Sequence, residues 1–524
     1  MLRWLRRRWR RWLPVGCLAA VVIINLLASG GAGSEGARDE GGDAGLKQPV
    51  IGDVSPLAAN MGFRKRLQAY PEKDSPGSPN SLESVKNSAG PDGQRSLPDP
   101  VIGHHGSPSQ HGQQGNQETP PRFKIFVYDL PLRFNTNLTS CSQAHSDGCY
   151  KFDHFGMGPE LRRHDYLSYR DTHQLSSEII IHEKMLRSRH RTLDAEKADA
   201  FYVPFYAALA CTCKVNSEMD ISELYEDLWR YLRSTSPYFG SSGAPRRPHL
   251  MALGKIEREF WTSNCPLLRD TERTGGITFI GVEEEVNEEL RKYFKRTNKR
   301  MVVAPYPSYG HFDSSYTSSL GVQNQAGFPS DIRKTTRDVR MFMAVGSRKG
   351  HDVRVILKRH MTGTSQRYAT FTASSSKQRR YAVWYSTPEC RRDMQLPVVD
   401  WMRHSVFCLQ PPGDSLTRKS FYDAVMAGCI PVTFRPKKRS ASVTYPFQDR
   451  LDYTRFTVNI PLDDVLSGAV RVVDRLRIIP ESRIADMQRR LAEAAPKLQY
   501  SYPPTSEDGD AFSMIVEEML RIAA

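Results

Sequence analysis

Residues 406–434, VFCLQPPGDSLTRKSFYDAVMAGCIPVTF, restrict what this chain can fold into more than any other segment. They read as a buried strand, a Pro-Gly loop, a helix, a glycine stop and a second buried strand, which is half of a nucleotide-binding α/β unit. A helix opening at Pro411-Pro412-Gly413-Asp414-Ser415 presents unpaired backbone N–H groups and the positive end of its dipole, with Arg418 and Lys419 in its first turn. Such a place can hold a diphosphate. Phe421, Ala424 and Val425 share one helix face, while Ser415, Lys419 and Asp423 recur every four residues on another, and Gly428 stands where a C-terminal stop belongs. The same pattern also describes an ordinary β-α-β packing unit with a charged, solvated helix face.

Four further blocks follow the chain in order: FKIFVYDLPLRFN at 123–135, ADAFYVPFYAAL at 198–209, LGKIEREFW at 253–261 and VVAPYPSYGHF at 302–312. With these blocks and 406–434 together, the sequence resembles the exostosin-like glycosyltransferases, glycosyltransferase family 47, and within them the plant xyloglucan galactosyltransferase branch. The resemblance covers residues 122 to 500 or so. Collinear agreement over such a span is more specific than one Gly-rich loop.

The chain of 524 residues has room for two domains once its first hundred or so residues are set aside. Its net charge is +15, but six of the arginines lie in MLRWLRRRWRRW. The basic stretches at 291–300 and 435–439 come with no zinc-finger spacing and no RNP-type aromatic motif, so they read as solvated surface and exclude a nucleic-acid partner. Residues 1–12 form a basic tail and 13–32 an apolar run, which the positive-inside rule orients as a type II signal-anchor with the C-terminal part lumenal. A signal peptide cleaved near Ala28-Ser29-Gly30 is the competing reading. Residues 33–120, rich in Gly, Ser, Pro, Asp and Gln, cannot bury enough apolar area to offset their ordering entropy and read as a disordered stem. The resemblance places the protein in the Golgi membrane, single-pass, with a lumenal catalytic part.

Of nine cysteines, Cys17 belongs to the apolar run, which leaves an even number, Cys141, Cys149, Cys211, Cys213, Cys265, Cys390, Cys408 and Cys429, for disulfides of open connectivity. Cys211-Thr212-Cys213 lacks a second pair or a histidine at zinc-ligand spacing. Asn137-Leu138-Thr139 is a glycosylation sequon.

Strand and helix patterns then alternate. A strand ends before Pro131, a helix carries Leu175, Ile179 and Leu186, and strands cover 200–206, 277–282 and 301–307, with a helix carrying Val286, Leu290 and Phe294 between the last two. A second half starts near Asp331 with a strand at 339–345, and helices carrying Ile484, Met487 and Leu491 and spanning 515–522 close it. The class is α/β, with ligands expected in the crevice outside the carboxyl ends of the strands. The resemblance implies the GT-B architecture, two Rossmann-like domains facing a cleft, here 121–330 for the acceptor and 331–524 for the nucleotide-sugar donor. Asp508-Gly509-Asp510, in the form of a metal-holding Asp-x-Asp, sits in a polar segment and reads as loop.

A metal-free donor site must offset diphosphate charge with fixed cations and helix N-termini. Arg348, in VGSRK after the strand at 339–345, matches the glycine-x-arginine turn of the family and leads the donor set, followed by Ser415 and Arg418, then Arg354 and Lys419. Asp423 is placed to accept ribose hydroxyls or to pair with Lys419 at i,i+4. The resemblance implies inversion, a single displacement needing a base from the first half. The family's Arg-Asp-His-Phe block stands here as Arg247-Pro248-His249-Leu250 without its aspartate; the resemblance implies an acidic residue at Glu259 in KIEREF, and Glu259 and His249 are the candidates. The expected activity is transfer of a sugar, galactose first, from a UDP-sugar to a polysaccharide or glycoprotein glycan. No cofactor or metal is expected beyond the UDP-sugar co-substrate. The alternatives are a non-catalytic partner subunit, consistent with the lost aspartate and with homo- or hetero-oligomers, and a lumenal polysaccharide-binding protein.

Overall fold

The computed structural model describes residues 123–144, 149–216, 220–240, 245–286, 300–316, 335–346, 352–365, 380–386, 395–437, 442–506 and 509–523. The basic tail, the apolar run and the 33–120 segment lie outside them, as do Arg348, Cys390 and Asp508.

Two parallel sheets carry the fold. The first has six strands in the order β4 (Arg191–Thr192), β1 (Ile125–Val127), β5 (Ala200–Tyr202), β6 (His249–Leu253), β7 (Ile277–Gly281) and β9 (Arg300–Val303). The second has five, in the order β12 (Arg380–Ser386), β11 (Val339–Val345), β13 (Ser405–Gln410), β14 (Ile430–Arg435) and β16 (Val458–Pro461). Three antiparallel strands, β2 (Glu160–His164), β3 (Leu167–Arg170) and β10 (Gly310–Phe312), and a pair, β8 (Glu284–Val286) with β15 (Ser442–Thr444), complete the β structure among the described residues. Every residue of β11 is buried, and so is every residue of β6 and β13. Continuous burial of this kind follows from parallel strands covered on both faces.

Helices α1 (Ser177–Arg187), α2 (Ala207–Asn216) and α3 (Ile221–Thr235) serve the first sheet, and α4 (Asp352–Ser365) and α5 (Lys419–Met426) the second. Helix α6 (Glu481–Ala494) joins the two cores: Ile484 and Met487 belong to the one that holds Val432 and Leu476, and Leu491 and Ala494 to the one that holds Tyr202 and Ile280. Helix α7 (Ala511–Ala523) returns to the first sheet beside β9. Its first turn is capped by Asp510, which accepts from Phe512 N–H at 2.8 Å and Ser501 N–H at 2.7 Å and pairs with the buried Lys184 of α1 at 2.8 Å. Asp510 therefore lies in a loop, as its polar context implied, and its carboxylate is spent on the helix cap. The α/β class and the pair of parallel sheets agree with the GT-B expectation.

Two local expectations change. The helix expected to open at Ser415 begins at Lys419, because Arg418 is still extended at φ −156° and Pro411 to Thr417 form a loop. Val286, placed in a helix by periodicity, belongs to β8, whose cross-strand partner at Ser442 is more than a hundred residues away in sequence. The stop at Gly428 holds: φ is +68°, Cys429 N–H donates to Ala424 O at 2.9 Å and Gly428 N–H to Val425 O at 3.0 Å, the paired bonds of a Schellman cap.

Three disulfides are formed among the described residues: Cys141–Cys213, Cys211–Cys265 and Cys408–Cys429. The third ties β13 to the residue preceding its neighbour β14. Asn137 of the sequon is exposed.

Candidate active site

The carboxyl end of β7 meets the loop that follows β13. Glu283, two residues beyond β7, is fully buried, and its Oε2 accepts from Ser415 Oγ–H at 2.5 Å and from Thr417 Oγ1–H. The strand edges on which an open α/β sheet binds ligands thus lie together here.

On the second sheet's side, the loop 411–418 is flanked by two guanidinium groups. Arg354, from the first turn of α4, donates from Nε to Pro412 O at 3.1 Å and from NH1 to Gly346 O at 3.1 Å. Arg418 donates to Pro411 O at 3.3 Å and to Ala344 O at 3.4 Å. A Cβ on Gly413 would stand 3.2 Å from Arg354 NH2, so glycine leaves the loop backbone and the cation in close approach. Backbone carbonyls hold both guanidinia beside the loop, and fixed guanidinium groups suit an anion.

Lys419 and Asp423, one turn apart on α5, pair at 2.9 Å. Asp423 also accepts from Tyr309 N–H at 2.8 Å, and Lys419 Nζ lies 3.1 Å from the centre of the Tyr309 ring. Burial drives the lysine down and the carboxyl up, and their mutual contact opposes both shifts. Of the two readings of Asp423, the structure displays the pairing with Lys419, and the pair seats α5 against the first half. Asp171 stands close enough to act on Lys419 and is itself paired with Lys151 at 2.8 Å.

His249 is the first residue of β6, at the amino end of the strand and therefore on the edge away from the donor loop. Four residues at about 3.3 Å each separate it from the carboxyl end, roughly 13 Å. It is fully buried, stacked on Tyr128 and Phe201, with Nδ1 2.7 Å from Arg247 O and Nε2 2.8 Å from the Tyr128 hydroxyl. Nδ1 carries the proton, since a carbonyl only accepts, and burial lowers the imidazole to about 4. This is a core histidine, which corrects its candidacy as base. Glu259 lies past the carboxyl end of β6 in a short 3-10 turn, Glu257–Trp261, where it pairs with Lys255 at 2.9 Å and is 39% exposed.

Sequence reasoning missed two carboxyls on that edge. One is Glu283. The other is Glu178, in the first turn of α1, whose Oε1 accepts from Ala208 N–H at 2.8 Å and Gly254 N–H at 3.0 Å. It joins the turn after β5 to the turn after β6, and complete burial raises its carboxyl to about 8. An acidic residue inside an apolar run, SSEIII, was the signal that could have found it.

The model of the Exostosin GT47 domain matches residues 119–476. The chain belongs to the exostosin GT47 family. Similar curated proteins include the probable xyloglucan galactosyltransferase GT15 of Arabidopsis thaliana, 27% identical over 423 residues and covering 76% of this chain and 81% of that protein. The probable xyloglucan galactosyltransferase GT17 of the same plant is 29% identical, covering 76% and 83%, and its xyloglucan galactosyltransferase XLT2 is 28% identical, covering 76% and 74%. Among solved structures, the crystal structure of TarM aligns over 61% of this chain and 58% of its own at 10% identity with a TM-score of 0.29, a likeness too slight to refine the fold described above. This exostosin GT47 protein is a glycosyltransferase.

Proposed function

We propose that the protein transfers a sugar, galactose in our reading, from a UDP-sugar to a polysaccharide, with inversion at the anomeric carbon, as a single-pass type II protein of the Golgi membrane. The observation that carries the donor reading is the loop 411–418 with Arg354 and Arg418 beside it at the carboxyl ends of β11 and β13. Two fixed guanidinia can offset the charge that develops on the diphosphate as it leaves. Arg348, which follows β11 in sequence, completes the cation set in this reading. The names of the curated relatives favour a plant cell-wall polysaccharide as acceptor and galactose as the sugar. The Arg247-Pro248-His249-Leu250 departure falls at the amino end of β6, away from the donor loop, which favours an active enzyme over a non-catalytic partner subunit.

The test is incubation of the purified lumenal part with a panel of UDP-sugars and xyloglucan-type oligosaccharides, in the presence and absence of chelator. Transfer from UDP-galactose with the opposite anomeric configuration, undiminished by chelator, is expected. Transfer from another UDP-sugar alone would move the substrate, and no UDP binding at all would overturn the donor site. Protease protection and glycosidase sensitivity in microsomes check the topology, with one glycan at Asn137 as the expected result.

A further inference from the structure

We propose that Glu283 is a positioning residue: from the first sheet it clamps the donor loop of the second and thereby sets Arg418. The proposal rests on the donor reading of that loop. Residues 411–418 have no regular structure; within the segment Gly413 N–H donates to Ser415 O at 2.9 Å and Arg418 to Pro411 O at 3.3 Å. Contacts from outside the segment add to these restraints. Ser415 and Thr417 both donate their hydroxyl protons to one oxygen, Glu283 Oε2, and Arg418 is the next residue.

The carboxylate is the fixed partner in this contact. Just before it the chain leaves β7, inside the six-stranded sheet. Just after it β8 pairs with β15, where Thr444 Oγ1–H donates to Glu284 Oε2 at 3.0 Å. A side chain held between two ladders and fully buried has little freedom. The Ser415 hydroxyl is committed to this clamp, so its effect on a donor is exerted through the loop backbone and Arg418.

The test compares the wild-type protein with Glu283→Gln, with the pair Ser415→Ala and Thr417→Ala, and with all three changes, using UDP as the probe. The amide keeps the shape and puts an NH2 donor where one carboxyl oxygen stood. Hydrogen exchange of peptides spanning 411–418 should quicken about tenfold or more in Glu283→Gln while the β7 peptide stays protected. UDP affinity should fall by about tenfold. With a UDP-sugar that the enzyme uses, the donor KM should rise while the acceptor KM holds. Because both sets remove one interaction, the triple variant should lose little more than either. Multiplicative losses, or unchanged exchange of the loop in Glu283→Gln, would overturn the clamp. Failure of the wild-type protein to bind UDP would sink the donor reading alone, since loop exchange needs no ligand and still decides the clamp. Should Glu283→Gln not fold, the two alanine changes, which lie on the loop side, decide the clamp by the same loop exchange.

Discussion

Arg354 and Arg418 both anchor on backbone carbonyls around the same Pro-Gly loop, which fixes two cationic groups beside the proposed diphosphate position. Arg354→Ala or Arg418→Ala should weaken UDP binding by roughly 1.5–3 kcal/mol, the range for hydrogen bonds to charged groups. Lysine at either position should recover only part, because it keeps the charge and loses the planar fork. Isothermal titration with UDP checks this, with Arg230→Ala, at an exposed position of α3, as a surface control; a variant that binds as tightly as the control would place the diphosphate elsewhere. Glu178 makes a different kind of prediction. Its carboxyl is held at about 8 against an ordinary 4.5, so between those values the folded protein keeps a proton that the unfolded chain has lost. The stability is fully present below about pH 4.5 and is lost as pH rises towards about 8. Glu178→Gln, which copies the neutral acid, should remove that slope. Melting curves of the two proteins should diverge above about pH 6, and parallel curves would show that the carboxyl is not held protonated.

At the scale of elements, α5 is the piece on which the site turns. Its start is set by the extended Arg418 and its end by Gly428, while its seat depends on Gly310 of β10, where a Cβ would approach Met426 Cβ to 2.7 Å. The Cys408–Cys429 bridge spans 21 residues that include the donor loop and α5, and holds β13 to the entry of β14 with a Cα separation of 5.8 Å. Closing a loop of that length restricts the unfolded chain by about 3 kcal/mol. Replacing both cysteines with serine should therefore lower the melting temperature by several degrees and should loosen UDP binding along with it. An unchanged melting temperature would mean that the parallel ladder alone carries this unit. The three bridges also show why connectivity stayed open in the sequence: Cys211 and Cys213 are two residues apart on α2 yet pair with Cys265 and Cys141, on different segments.

For the whole molecule, the balance of buried ionisable groups fixes the pH of greatest stability. Burial holds His173 and His311 to about 3 and His182 and His249 to about 4, against an ordinary 6.5. As pH falls through 6.5 the unfolded chain takes up protons at these four positions and the folded protein does not, so the stability they contribute is lost towards pH 4. Glu178 acts in the opposite sense on the alkaline side, and the two trends place the maximum near about pH 7. Thermal melts across about pH 4.5 to 8.5 test it; a maximum at about pH 5 would mean that these histidines are not held neutral in the folded protein. The sequence by itself determined the α/β class, the strand-loop-helix-strand unit at 406–434, the glycine stop and the family blocks, because local periodicity, turn chemistry and capping act over a few residues. Only the tertiary structure decided that His249 sits in the core at the far end of its strand. It alone showed that Ser415 answers to Glu283 across 132 residues, and that Glu178 holds together two turns it does not adjoin in sequence. Which side chains meet at the carboxyl edges of two sheets depends on strand order and crossovers, and those are set by the packing of elements far apart in the chain.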